Sequence, residues 1–186
     1  PDDRELKILG RIHNYEQFLE TYRSAREAGF DNINIDLMSA IPDQTYEGWI
    51  HNLRTVAGLD PEHISAYSLI IEEGTPFASR TLNLPDEDAE YNMYEATAQI
   101  LGEYGFEQYE ISNYAKKGRE CRHNVGYWIR QDYLGFGLGA SSLYGKERFA
   151  NTQDMKKYLE NSKNPEKIRE KEPSLTREDE MAEFMF

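Results

Sequence analysis

Three times in this chain a helical stripe ends in glycine plus an apolar residue and hands over to a strand-like run: Gly29-Phe30, Gly58-Leu59 and Gly105-Phe106. Such alternation restricts the fold to an α/β class with parallel strands and right-handed helical crossovers. The first joint leads into Ile33-Asn34-Ile35-Asp36-Leu37-Met38, where aliphatic residues alternate with Asn34, Asp36 and Met38. Period two gives a strand with two unlike faces. In a β/α barrel both faces are covered, and inward polar groups near the C-terminal strand end are where active sites sit. An antiparallel strand with its polar face in water would carry the same pattern.

The neighbouring stretches supply the helices. Asn14, with Gln17 three residues on, reads as a capping box ahead of Phe18, Tyr22, Ala25 and Ala28 at helical spacing. Thr45 caps a stripe of Trp49, Ile50, Leu53 and Val56, and Asp86 caps one of Met93, Thr97 and Leu101. Residues 63–71 and 106–111 read as further strands. Beyond Ser112, strand-like runs at 127–129, 133–144 and 147–151 predict hairpins that extend the sheet. A helix is expected at 152–161. The Lys-, Glu- and Pro-rich stretch 162–173 reads as a linker, and Thr176 with Asp179 opens a last helix.

Charge limits the partners. With 34 Asp and Glu against 21 Lys and Arg, the net charge is −13, and phosphate backbones need clustered positive charge. Nucleic acid is therefore not an expected partner. No apolar run approaches the ~18 residues of a membrane helix. The start, Pro1-Asp2-Asp3-Arg4, lacks a signal-peptide pattern, and without a leading Met it reads as an internal piece. Cys121 is the only cysteine. It excludes an intrachain disulfide, fits a reducing, cytoplasmic setting, and cannot by itself hold an iron–sulfur cluster.

Several stretches could carry chemistry. Lys116-Lys117-Gly118-Arg119-Glu120-Cys121-Arg122-His123-Asn124, followed by Tyr127 and Trp128, is the densest basic patch. Cations beside aromatic planes suit a flat ligand with carboxylates, and His123 offers a ligand for a metal or haem iron. Its bland counterpart is a solvated turn followed by a strand whose Tyr127 and Trp128 are core. On a strand those two rings face opposite sides, so only one could wall a ligand. Gly135-Phe136-Gly137-Leu138-Gly139 lacks the G-x-G-x-x-G spacing of a dinucleotide loop, and reads as a strand whose glycines admit a close backbone or ligand. Cys121 is an incidental thiol or, given its cationic neighbours, a nucleophile. Glu72 and Glu73 sit where a barrel site would be, or are solvated loop acids.

Taken together, several stretches resemble one family: Leu9-Gly10-Arg11-Ile12-His13, the run Ala25 to Leu37, Ile64-Ser65-Ala66-Tyr67-Ser68-Leu69-Ile70-Ile71-Glu72-Glu73-Gly74-Thr75-Pro76, Tyr109-Glu110-Ile111-Ser112-Asn113, and Cys121-Arg122-His123-Asn124 with Tyr127-Trp128. The chain is similar to the HemW branch of the radical S-adenosylmethionine proteins, which is related to oxygen-independent coproporphyrinogen III oxidase. The resemblance implies an open, TIM-like β/α barrel. It also implies a [4Fe–4S] cluster on three cysteines, with S-adenosylmethionine bound to it. Arg11, Asp36, Met38 and Ile70 match cofactor positions, and the Asp36 carboxylate suits ribose hydroxyls. The His123-Asn124-x-x-Tyr127-Trp128 signature matches one linked to haem handling, which makes Arg119, Arg122, His123, Asn124 and Tyr127 the candidate haem contacts.

The chain departs from the family in three places. The cluster cysteines are absent, the usual Gly-Leu-Pro-x-Gln-Thr turn is Ala40-Ile41-Pro42-Asp43-Gln44-Thr45, and a usual Gly-Ala-His-Ser is Gly139-Ala140-Ser141-Ser142. The expected organisation is the later part of a barrel (1–161), a linker (162–173) and the start of a C-terminal domain (174–186). Expected function is that of a haem chaperone fragment, with haem or porphyrin and a haem-acceptor protein as partners. It would be inert alone for want of cluster ligands. A true coproporphyrinogen oxidase and a non-catalytic haem-binding module are the competing readings.

Overall fold

The computed structural model describes residues 1–171 and 176–184, which fall into two compact units, Pro1–Glu120 and Cys121–Phe186. The first unit runs α1 (Asp3–Ile8), α2 (Tyr15–Glu27), β1 (Asn34–Ser39), α3 (Tyr46–Ala57), β2 (His63–Ser68), α4 (Glu87–Glu103), β3 (Glu107–Gln108) and β4 (Asn113–Ala115). The helices start where side chains satisfy their free N–H groups. The Asn14 carboxamide accepts from the Gln17 N–H at 2.9 Å, and the Asn14 N–H donates to the Gln17 side chain at 3.0 Å. Thr45 accepts from Gly48 at 3.1 Å and Asp86 from Ala89 at 2.8 Å. Replacing such a cap by Ala costs about 1 kcal/mol.

The core lies between α3, α4 and one sheet face. Trp49, Leu53 and Val56 of α3 pack with Met93, Ile100 and Leu101 of α4 and with Ile35, Leu37 and Ile64 of the strands. The buried Trp49 indole N–H donates to the Thr97 hydroxyl at 2.9 Å, so the helix pair is fixed by a polar tie within an apolar layer.

Two of the three glycine joints turn as expected, with Gly29 at φ +93 and Gly105 at φ +81. At the other joint Gly58 stays right-handed at φ −67, and the left-handed residue is Asp60 at φ +60. Asp enters that region more readily than most residues.

Strands β1 and β2 are parallel, with Asp36 opposite Ser65 and Met38 opposite Tyr67. The parallel pattern stops there. β3 covers two residues, and β4 returns antiparallel to both β2 and β3, in the order β1-β2-β4-β3. The reversal is local: the Glu110 carboxylate takes the Ser112 N–H at 2.9 Å, and the Gln108 amide donates to the Ile111 carbonyl at 3.1 Å. The fold is thus mixed α/β.

The second unit contains α5 (Arg122–Trp128), β5 (Ser141–Tyr144), β6 (Glu147–Asn151), α6 (Met155–Asn161), α7 (Pro165–Ile168), β7 (Arg169–Lys171) and α8 (Arg177–Phe184). β5, β6 and β7 form an antiparallel sheet. Residues 127–129 are not a strand: Tyr127 and Trp128 end α5. The aromatic run has strand propensity, but Val125 donates to the Cys121 carbonyl at 3.0 Å and Ile129 to the Val125 carbonyl at 3.0 Å, which closes helical turns. The expected strand 133–144 reduces to β5 and a single bridge between Tyr133 and Leu143. A Cβ on Gly135 would lie 2.2 Å from the Ser141 carbonyl oxygen, so glycine there does admit a close backbone. Within 162–173, α7 and β7 are ordered elements, and β7 pairs with β6. Residues 172–175 and 185–186 lie outside the described residues.

Candidate functional site

The polar face of β1 and β2 is held by a directed chain of hydrogen bonds. Asn34, Asp36 and Met38 share this face with His63, Ser65 and Tyr67 through the parallel register. The Asn34 amide nitrogen donates to Asp36 Oδ1 at 2.7 Å. The Asn34 oxygen faces His63 Nδ1 at 2.6 Å and accepts from the Ser65 hydroxyl at 3.2 Å. His63 Nε2 meets the Tyr109 hydroxyl at 2.8 Å. Burial lowers the His63 pKa from its ordinary value, against the pull of Asp36 and Glu110.

A cavity of about 320 Å³ opens beside β1, lined by Arg11, His13, Asp36, Met38 and Tyr67 together with apolar Leu9 and Phe18. Arg11 arrives there through the end of α1. Gly10, at φ +69, donates to the Lys7 carbonyl at 3.0 Å, and Arg11 donates to the Leu6 carbonyl at 2.9 Å. This paired closure is the glycine-dependent helix end. Burial raises the Tyr67 pKa, the Asp36 charge adds to the rise, and the Arg11 charge opposes it. An anion, a cation and a phenol therefore share one cavity.

Three of the four residues matched to cofactor positions, Arg11, Asp36 and Met38, line this cavity. Ile70 does not: it lies beyond the end of β2 and is 77% exposed. Glu72 and Glu73 are exposed in the following loop. The sequence reading missed His63, Tyr109 and Tyr67. His63 and Tyr67 sit on a run whose β-branched and aromatic residues hide which face they take, and only the strand register reveals it.

In the second unit, α5 sets His123 and Tyr127 one turn apart, with ring centroids at 4.6 Å and planes at 74°. Tyr133 stands edge-on to Tyr127, also at 4.6 Å. Arg122, His123, Gly126, Tyr127, Gln131 and Tyr133 line a cavity of about 200 Å³. Asn124 is on the same helix outside this lining. The helix removes the either-or choice between Tyr127 and Trp128. Tyr127 and Trp128 are 44% and 42% exposed, so neither is the core residue of the bland alternative. Arg119 belongs to the first unit, where it lines an open depression with Tyr22, Arg26 and Glu62. Cys121 stands at the N-cap position just before α5 and is half-buried.

Among the described residues, no group of three or more His, Cys, Asp or Glu could hold a metal ion. No helix among them is long and apolar enough to cross a membrane.

Comparison with known proteins points one way. No family model matches the chain. The heme chaperone HemW of Bacillus subtilis is 40% identical over 163 residues, covering 86% of this chain and 43% of that protein. HemW of Escherichia coli is 42% identical over 147 residues, covering 79% of this chain and 38% of that protein. A mitochondrial radical S-adenosyl methionine domain-containing protein 1 from Danio rerio is 34% identical over 160 residues, covering 81% and 36%. The chain thus spans less than half the length of these relatives. The solved structure of coproporphyrinogen III oxidase (HemN) from Escherichia coli, described as a radical SAM enzyme, superposes with a TM-score of 0.80 at 22% identity. It covers 99% of this chain and 46% of that one, and shares its fold.

Proposed function

Because the chain is similar to HemW haem chaperones over most of its own length, we propose that it forms the later part of an open radical S-adenosylmethionine barrel in a protein that binds and hands on haem. The observation that carries this reading is the meeting of Arg11 and Asp36 at one cavity beside a parallel strand pair. The residues fit S-adenosylmethionine. Asp36 accepts from ribose hydroxyls, Arg11 pairs with the amino-acid carboxylate, and Met38 and Tyr67 supply walls. A volume of about 320 Å³ lies at the small end of ligand sites, roughly 300–1,000 Å³. When bound, this cofactor supplies radical chemistry. The described residues do not fit a [4Fe–4S] cluster, since Cys121 is the single thiol, and no step is assigned through it.

Haem is the cargo in this reading. α5 presents His123 as a ligand for the iron, Arg122 for a propionate, and the edge-stacked Tyr127 and Tyr133 as a wall. Asn124, on the same helix, is a further polar contact proposed for the same ligand. The full-length protein acts in the cytoplasm and passes haem to an acceptor protein.

Spectroscopic haem titration of the chain, alongside His123→Ala, tests the haem reading. A saturable Soret change that His123→Ala weakens supports it. Equal titration by both proteins refutes the role of His123. Coproporphyrinogen turnover by the full-length protein would replace the chaperone with an oxidase.

A further inference from the structure

The polar face of the β1–β2 pair does more than expose a carboxylate. A carboxylate only accepts hydrogen bonds, so the Asn34 group 2.7 Å from Asp36 Oδ1 is its NH2. That orientation turns the Asn34 oxygen toward His63, where it accepts from Nδ1 at 2.6 Å and from Ser65 at 3.2 Å. Neutral His63 then presents Nε2 as an acceptor, and the Tyr109 hydroxyl donates to it at 2.8 Å. Each donor has one acceptor in sequence, from Tyr109 to Asp36. The chain crosses three elements: the loop after β3, β2 and β1. His63 is 4% exposed, so the middle of the chain is anchored while its Asp36 end faces the cavity. Burial favours the neutral imidazole that this order requires, with Asp36 and Glu110 the opposing charges.

We infer that Tyr109, His63 and Asn34 are positioning residues for Asp36: they hold one carboxylate oxygen on the Asn34 amide and turn the other to a hydroxyl of the ligand in the cavity. The inference rests on the reading that this cavity takes S-adenosylmethionine. None of the three is among the residues that line the cavity. They restrict the rotation of a side chain that would otherwise lose rotamer freedom on binding.

Two measurements separate the inference from the reading beneath it. Nitrogen-15 spectra of the chain should show His63 as the neutral Nδ1–H tautomer, and an Nε2–H tautomer overturns the relay. Calorimetric titration of the full-length protein with S-adenosylmethionine then compares Asp36→Asn, Asn34→Leu, Tyr109→Phe and the double variant Asp36→Asn/Asn34→Leu. Positioning predicts about a tenfold loss for Asn34→Leu, a smaller loss for Tyr109→Phe, and no further loss when Asn34→Leu is added to Asp36→Asn. A merely structural Asn34 would give additive losses, which overturns the inference. A loss for Asp36→Asn with no change for Asn34→Leu and Tyr109→Phe overturns the relay and leaves the cavity reading standing. Unchanged affinity in Asp36→Asn overturns both. Tyr109→Phe removes one oxygen from a half-buried ring, so it remains informative if Asn34→Leu fails to fold.

Discussion

Arg26 and Glu62 meet through two parallel contacts, Nη2 to Oε1 at 3.0 Å and Nη1 to Oε2 at 2.9 Å. Glu62 also accepts the Ile33 backbone N–H at 2.9 Å, so the pair ties the end of α2 to the entries of β1 and β2. Burial raises the Glu62 pKa, but Arg26 and the Ile33 N–H outweigh it and leave it lowered. A lowered folded pKa means stability present above the unfolded value of about 4.3 and lost as pH falls through the folded one. Glu62→Gln should destabilise the chain at neutral pH by about 1.5–3 kcal/mol. It should also flatten the acid limb of stability against pH, as read from urea midpoints. An unchanged acid limb would assign that limb to other carboxylates.

Asp36→Asn keeps the side-chain volume and removes the charge facing the cavity. In the full-length protein it should weaken S-adenosylmethionine binding about ten- to a hundredfold, the worth of one charge-assisted hydrogen bond. Asp36 is exposed, so the melting temperature should barely move. Calorimetry with a parallel thermal melt checks both.

His123→Ala removes an exposed ring whose partner is the edge of Tyr127. An aromatic pair of this kind contributes about 0.5–1.5 kcal/mol, so the melting temperature should fall by a few degrees while haem affinity drops. Unfolding with haem affinity intact would make His123 a structural residue of α5.

Two glycine substitutions should act in opposite directions. Gly135→Ala forces a Cβ to 2.2 Å from the Ser141 carbonyl, and relieving such a clash costs typically 1–3 kcal/mol. Gly102→Ala meets nothing within 4 Å near the end of α4 and should stabilise by about 0.5–1 kcal/mol. Chemical denaturation of both variants measures the contrast.

The helices were legible because their signals are local. Asn14, Thr45 and Asp86 cap where their side chains can reach the third N–H, and the Trp49 and Met93 stripes bury as their spacing requires. α1 had no counterpart in the sequence reading: six residues are too short for a periodic stripe, although Asp2 caps them. Parallel β1 and β2 were legible from the alternation of joints, but the return of β4 was not. That reversal depends on Glu110 and Gln108 each closing a turn with a backbone group two or three residues away. α5 was misread because its Tyr and Trp favour strands, while the i to i+4 match of His123 with Tyr127 went unused. At the cavity, Asp36 stood out through period two. His63 and Tyr109 could not, because their roles depend on a cross-strand register and on a loop that folds back.

The opposition of Asp36 and Ser65 across β1 and β2 also works as an error-checking device. Sliding β1 by a single residue would turn Leu37 out of the apolar cluster and drive the Asp36 carboxylate in among Leu53 and Ile64. Both halves of that exchange are unfavourable, because an apolar side chain is exposed and a charge is buried. The strand pair therefore has no gradual way to go wrong. One face buried and the other polar leave it a single favourable alignment.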